Sequence, residues 1–299
     1  MYLNLLNDRL KERYGCKVYK LSLSSGCGCP NRDAEGRHGC IFCDGAGAFT
    51  ASGTIEEQLK AAKAQVSKKI KGEAKYIAYF QSFTNTFAPV ETLEPLFLEA
   101  MAPDDVVALS IATRPDCLSL DILDLLSRLN AQKPVWVELG LQTIHEATAR
   151  YIRRGYPLSV YDEAVRALKA RGITVIVHAI LGLPKETPEM MAQTTEYIGK
   201  SGADGIKFHL LHVLEHTDLA EEWRAGNVPE LTLSEYTELL KLCIAHLSKH
   251  VVIHRLTGDG PKQTLLSPLW SADKKRVLNT CHQAFRAADL QQGSLYPTY

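Results

Sequence analysis

The chain has 299 residues and a mass of 33.1 kDa, with 45% hydrophobic and 23% charged residues, a composition that excludes a disordered chain, a coiled coil and a collagen-like repeat. Its 34 Lys and Arg balance 34 Asp and Glu, so the whole-molecule charge carries no signal for nucleic acid or acidic lipid and leaves only local patches to consider. No apolar stretch approaches the roughly 20 residues that span a bilayer, so we expect a cytoplasmic protein without a membrane partner.

The opening segment, MYLNLLNDRLKERYG, mixes acidic and basic residues and lacks a small-residue cleavage site, which predicts an amphipathic helix and not an export signal. Short β-branched or aromatic runs then alternate with longer helical patterns. The runs lie at 17–23, 75–81, 106–112, 135–141, 174–181 and 205–211, each nearly continuous in apolar character, as for strands buried on both faces. Helical periodicity covers 55–70, 91–101, 119–130, 159–171 and 188–201. Thr54 with Glu57 and Ser159 with Asp162 have capping-box spacing, and Gly172 and Gly202 stand where helices should stop.

Strand followed by helix, six times over, means a parallel sheet with right-handed crossovers. No glycine-rich dinucleotide fingerprint follows the first strand, so the α/β fold predicted is a partial (β/α)6 TIM-type barrel and not a doubly wound sheet. The loops after the strands' C-terminal ends should carry the chemistry. From about residue 250 the pattern gives one more strand, a turn and a helix over 271–290. We expect a barrel over 1–249 and a C-terminal extension over 250–299 packed on it.

Eight cysteines in a chain of this size and compartment do not suggest disulfides. Cys16, Cys117, Cys243 and Cys281 are scattered and read as core filling. Cys27, Cys29, Cys40 and Cys43 fall within the loop over 24–46, after the first strand. Cys29, Cys40 and Cys43 form C-x10-C-x2-C among glycines and a proline, which let backbone wrap an inorganic core. Such thiolates bind an iron–sulfur cluster or zinc; in the zinc case Cys27 or His38 is available as a fourth ligand, making a non-catalytic zinc-binding interaction protein the alternative. Spacing alone does not decide between them. The position at the end of a barrel strand, where active sites lie, favours the cluster.

With GCGCPNRDAEGRHGCIFC and YFQSFTNTF in place, the sequence resembles the radical S-adenosylmethionine (SAM) superfamily, and in particular a family of bacterial radical-SAM proteins with these two motifs. Further matches are SIATRPDCL, VELGLQTIH, IRRGY, HAILGLPKET, KFHLLHVLEHT and HRLTGDGP, so the likeness runs over nearly the whole chain. The TRPD, VELGLQ and ILGLPKET elements are also similar to those of the Elongator-type enzymes, which modify wobble uridine in tRNA. A Gram-positive member of the bacterial family is understood to act on the aminomethyl-type side chain of that uridine.

The resemblance implies a [4Fe–4S] cluster on Cys29, Cys40 and Cys43, with SAM chelating the fourth iron and yielding a 5′-deoxyadenosyl radical that abstracts hydrogen from substrate. It implies SAM contacts from Phe42 near the adenine, from Gln81, Ser82, Thr84 and Asn85 at the methionyl end, and from Glu138 and Gln142 at the ribose. Arg154 matches a position that reaches the SAM carboxylate, and backbone from Ile180 through Gly182 and Leu183 to Pro184 should support the adenine. A flavodoxin or ferredoxin-type partner would supply the electron.

A Glu inside an apolar strand needs a partner, and Arg114 is the expected one for Glu138 if it is structural. Three departures limit the transfer. Ala112 stands where the Elongator-type enzymes have Glu, Tyr156 replaces a usual His, and no acetyltransferase-like segment follows the barrel, so the carboxymethyl-forming reaction is not carried over.

His178, Lys207, His209 and His212, with His216, read as lining a polar cavity, and the first four are the candidate catalytic groups. Arg255, Lys262, Lys274, Lys275 and Arg276 place positive charge in the extension, where phosphates of a tRNA partner would be held. The function predicted is radical modification of the C5 aminomethyl-type side chain of the wobble uridine. The alternative is a radical-SAM enzyme for a small metabolite or porphyrin-like substrate.

Overall fold

The computed structural model describes residues 1–33, 39–45, 51–258 and 260–297. Seven parallel strands form one sheet that curls into a partial barrel: β1 (Lys17–Leu23), β2 (Ala74–Phe80), β3 (Val106–Thr113), β4 (Val135–Gln142), β5 (Thr174–Leu181), β6 (Gly205–Leu210) and, beyond one short strand, β8 (Val252–Arg255). β7 (Val213–Leu214) and β9 (Leu265–Ser267) pair separately as an antiparallel ribbon. All six predicted strands are present to within one residue at either end. The strand expected in the extension pairs parallel with β6 and so becomes the seventh member of the barrel sheet.

The helices α1 (Leu6–Tyr14), α2 (Ile55–Ser67), α3 (Val90–Met101), α4 (Leu120–Asn130), α6 (Leu158–Lys169) and α7 (Pro188–Lys200) fall where periodicity places them. Thr54 and Glu57 form the expected capping box on α2, and Gly172 and Gly202 adopt the positive φ that lets the chain leave α6 and α7. The Ser159–Asp162 box does not form. α6 begins one residue earlier with Pro157 as its cap, and the Glu146 carboxylate accepts from Leu158 N in place of a side-chain cap. The last helix, α10, covers Lys274–Ala287, because 269–272 is spent on a tighter turn. Three helices escaped the sequence reading: α5 (Glu146–Tyr151) and α8 (Asp218–Arg224) are too short for periodicity, and α9 (Leu233–Ala245) lies between β7 and β8.

Alternation along the strands divides the sheet's two faces. Outward residues such as Leu21, Leu23, Phe80, Leu109, Val137, Val177 and Phe208 join the helices in the main core. Inward residues stack in layers, as in closed barrels. The lowest layer is apolar: Val18, Ile77, Ala108, Trp136 and Ile176 pack above Leu10 of α1, which seals the bottom. Two residues further along each strand the inward set becomes polar, namely Lys20, Tyr79, Ser110, Glu138 and His178, with Lys207 from β6. A floor of hydrocarbon therefore lies below a charged interior that opens toward the strands' C-terminal ends.

Candidate active site

The segment after β1 is tied to that open end by backbone bonds. Thr84 N donates to Gly28 O (3.1 Å), Ile41 N to Ile152 O (3.2 Å), and Leu219 N to Ile41 O (2.8 Å), so three separate loops fix the cysteine segment. Within it Arg32 N donates to Cys29 O and Cys43 N to Cys40 O, both at 3.0 Å. Asn31 Nδ2 donates to Arg153 O (2.7 Å) and toward Cys40 Sγ (3.5 Å).

Cys29, Cys40 and Cys43 are free and half-buried. Burial pushes the Cys40 thiol up to about 11, with Cys43 and Cys29 adding to the rise and Arg114 opposing it. The three sulfurs therefore sense one another beside a guanidinium, and an inorganic core would have to take up the charge of their thiolates. His38 lies outside the described residues. Cys27 packs on the main core, and burial raises its thiol as it does that of Cys40.

Cys117 is not the core filler expected from sequence. It is half-buried in the turn after β3, and its thiol, pushed up to about 12 by burial and Asp116, is close enough to feel Cys29.

The proposed SAM contacts divide into two groups. Phe42 packs on a cluster containing Ile41, Ile180 and Leu183, so the aromatic from the cysteine loop and the end of β5 share one apolar wall. Pro184 is buried just beyond it, and Gly182 has φ +87 with Leu231 only 3.0 Å from where a Cβ would stand. Thr84 Oγ1 is buried and has no hydrogen-bond partner, an acceptor and donor left for a ligand. Ser82 and Gln142 hold positive φ values of 64° and 69°, strain of the kind that marks functional loops.

Other predicted contacts are engaged within the protein. Asn85 donates to Ser82 O and Ala112 O (both 3.0 Å) and accepts from Ser25 Oγ (2.7 Å), locking three loops together. Gln81 Nε2 donates to Ser22 Oγ (2.6 Å). The Arg154 guanidinium, 2% exposed, donates to Tyr156 O (3.0 Å), Thr143 O (2.6 Å) and Leu141 O (3.3 Å) and faces Glu146. Tyr156, the residue in place of a histidine, lies between Arg114 and Arg154 and donates to Gly140 O, which fixes the end of β4.

Glu138 does not pair with Arg114, which instead grips Asp116 through two hydrogen bonds (2.9 and 2.7 Å). The Glu138 carboxylate accepts from Lys20 Nζ (2.7 Å), Ser110 Oγ (2.6 Å), His178 Nε2 (2.7 Å) and Lys207 Nζ. Burial alone would raise its pKa, but Lys20, Lys207 and His178 hold it well below the usual carboxylate range. Lys207 Nζ also donates to Tyr79 Oη (3.0 Å), and burial pulls this lysine below its ordinary value while Glu138 opposes. His178 is lowered to about 4 by burial, against the pull of Glu138, so it is neutral and donates to the carboxylate.

The His209 ring stands 4.9 Å from that of His178 and is likewise held neutral by burial. His178, Lys207 and His209 are thus brought together. His212 lies beside Gly258 and Gly260 at the rim, and His216 is exposed on the turn before α8, outside the cavity.

Comparison with known proteins agrees with this geometry. Residues 23–198 match the model of the radical SAM superfamily and residues 203–287 that of the radical SAM C-terminal domain. The chain is 41% identical over 296 residues to uncharacterized protein YtqA of Bacillus subtilis, covering 97% of this chain and 92% of that protein. Over 163 residues, 54% of this chain and 30% of the relative, it is 28% identical to tRNA uridine(34) acetyltransferase of Methanocaldococcus jannaschii. The fold superposes on the Elp3 structure from Methanocaldococcus infernus with a TM-score of 0.72 at 19% identity, over 92% of this chain and 64% of that one. No helix among the described residues is long and apolar enough to cross a membrane. The chain belongs to the radical SAM superfamily, enzymes that bind a [4Fe–4S] cluster and SAM.

Proposed function

We propose that this radical SAM enzyme modifies the C5 aminomethyl-type side chain of the wobble uridine of a tRNA. The observation that carries this reading is the polar interior: His209 Nε2 is buried without a hydrogen-bond partner, two residues beyond Lys207 on β6 and so on the open side of the charged layer of Lys20, Glu138 and Lys207. Buried polar atoms left open point to a ligand that satisfies them, and the edge of a pyrimidine with a polar substituent offers matching donors and acceptors. The likeness of half the chain to an enzyme named for uridine 34 of tRNA supports the same substrate. A base flipped out of the anticodon loop would enter through the open strand ends.

In this reading Cys29, Cys40 and Cys43 hold the cluster, Phe42 with Ile180, Gly182, Leu183 and Pro184 forms the adenine wall, and Thr84 and Gln142 offer polar groups to SAM. When bound, the cluster and SAM supply a 5′-deoxyadenosyl radical. Asn85, Gln81 and Arg154 hold the loops that present those contacts. Glu138 acts from the floor: it fixes Lys207 and the tautomer of His178 so that these side chains meet the substrate in one geometry. Burial lowers the pKa of the Lys207 ammonium while Glu138 holds its charge, which makes it a candidate to give a proton. A flavodoxin or ferredoxin-type protein is the electron donor, and the segment over 250–299 is an extension packed on the barrel.

Nucleoside mass spectrometry of tRNA from a strain lacking the gene, followed by the same tRNA treated anaerobically with the purified holoprotein, tests the proposal. The expected result is an altered wobble nucleoside that the enzyme converts. Unchanged tRNA in both arms would overturn it in favour of a small metabolite or porphyrin-like substrate.

A further inference from the structure

Outside the barrel interior, a cavity of about 770 Å³ opens on the surface of the C-terminal extension, lined by Gly260, Lys262, Trp270 and the first residues of α10, Lys274, Lys275 and Arg276. Among the described residues that line it, four cations face one carboxylate, Asp273, whose side chain is already used to cap α10 by accepting from Arg276 N (3.0 Å). The side chains of Lys262, Lys275 and Arg276 enter no ion pair among the described residues. In a chain whose total charge is zero this is a local concentration, not an overflow of a basic protein.

The cations gather at one helix end. Three of them occupy the first turn of α10, at the positive end of the helix dipole, and that turn contains no acidic residue. α6 also lacks one, whereas α2, α4, α7 and α9 each begin with one. Asp273 sets one carboxylate at this end of the dipole, and an anionic partner would meet the cations around it.

Two further features narrow the partner. Leu269 is 67% exposed and the Trp270 indole, whose N–H donates to Leu231 O (2.8 Å), is held half-buried in the cavity wall, so apolar and aromatic surface is interleaved with the charge. Cations with an aromatic platform suit a nucleic-acid strand with phosphates and exposed base faces. The cavity also lies near the barrel mouth. Gly260 lines it, and a Cβ added at Gly260 would come within 3.4 Å of the His212 ring; one at Gly258 would meet both His209 and His212 at 3.5 Å.

We propose that this basic cavity is a docking surface for the sugar-phosphate backbone of the RNA substrate, holding the strand beside the barrel mouth while the target base enters. The inference rests on the reading of tRNA as substrate and adds where the RNA is gripped.

The test is anisotropy titration of a fluorescent tRNA anticodon stem-loop with the cluster-loaded full chain over a series of KCl concentrations. Wild type is compared with Lys262→Gln/Lys275→Gln/Arg276→Gln and with a control of equal charge loss at the barrel's opposite end, Lys11→Gln/Lys17→Gln/Lys71→Gln, which line a separate cavity of about 480 Å³. The first triple variant should weaken binding by about tenfold or more and make the dependence of log affinity on log salt shallower by roughly 2 to 3. The control should bind like wild type, and RNA-independent SAM cleavage should be the same in all three proteins.

Wild-type binding that both triples weaken equally, or that neither weakens, would overturn the docking surface while leaving the tRNA reading intact. A wild-type protein that binds no stem-loop overturns both.

Discussion

Lys207 of β6 reaches past β5 to the carboxylate of Glu138 on β4, and the two form an ion pair in the barrel interior, where the Glu138 side chain has no exposure and that of Lys207 has 4%. Lys20 meets the same carboxylate from β1, so one anion holds two ammonium groups together. Replacing Glu138 with Ala strands both cations without a counter-charge. A loss of about 3 to 5 kcal/mol in unfolding free energy follows, read from the urea midpoint. Glu138→Gln, which keeps the shape and part of the hydrogen bonding, should lose less. An alanine variant as stable as wild type would show that the interior is wetter than these contacts imply.

His178 makes stability depend on pH. Its imidazole titrates at the ordinary 6.5 when unfolded and at about 4 when folded, because burial disfavours the cation. Between those values the unfolded chain binds more protons, so acid favours unfolding. The contribution is complete above pH 6.5 and is lost as pH falls toward 4, about 3 kcal/mol in all. Melting of wild type and His178→Gln at pH 7 and pH 4.5 measures it. The variant should lose less stability on acidification, and parallel losses would contradict the assignment.

The three thiols of the cysteine segment are predicted to be individually necessary for iron. Cys29→Ala, Cys40→Ala and Cys43→Ala should each lose the cluster after anaerobic reconstitution, while Cys27→Ala and Cys117→Ala retain it, as read by iron and sulfide content per chain. Retention of full iron by Cys40→Ala, or its loss from Cys27→Ala, would redraw the ligand set.

Gly155 supports that segment from behind. It has φ +88, and a Cβ there would stand 2.5 Å from Asn31 Oδ1 and 3.1 Å from Arg114. Asn31 is the residue whose amide donates to Arg153 O and toward Cys40 Sγ. Gly155→Ala should cost about 1 to 3 kcal/mol through backbone strain and shorten the time the cluster survives in chelator. Unchanged cluster lifetime would separate Asn31 from cluster retention.

The strands and the main helices were legible because continuous apolar runs and 3.6-residue periodicity survive in local sequence. The cysteine segment was legible from its spacing. The partners of Glu138 were not, because Lys20 and Lys207 lie far from it in the chain and only the barrel's stacking in layers brings them together. The proximity of Cys117 to Cys29 was hidden in the same way, although its place just after β3, at the end where the chemistry was expected, was a usable signal. Arg154 read as a SAM contact by motif position; its guanidinium is instead turned onto backbone carbonyls, a choice fixed by the loop's three-dimensional path.

The most direct test of the central claim is 5′-deoxyadenosine formation by the reduced, anaerobically reconstituted protein, with and without tRNA. The account predicts cleavage of SAM that tRNA stimulates and a change in mass confined to the wobble nucleoside. Cleavage indifferent to tRNA, with every nucleoside unaltered, would contradict it.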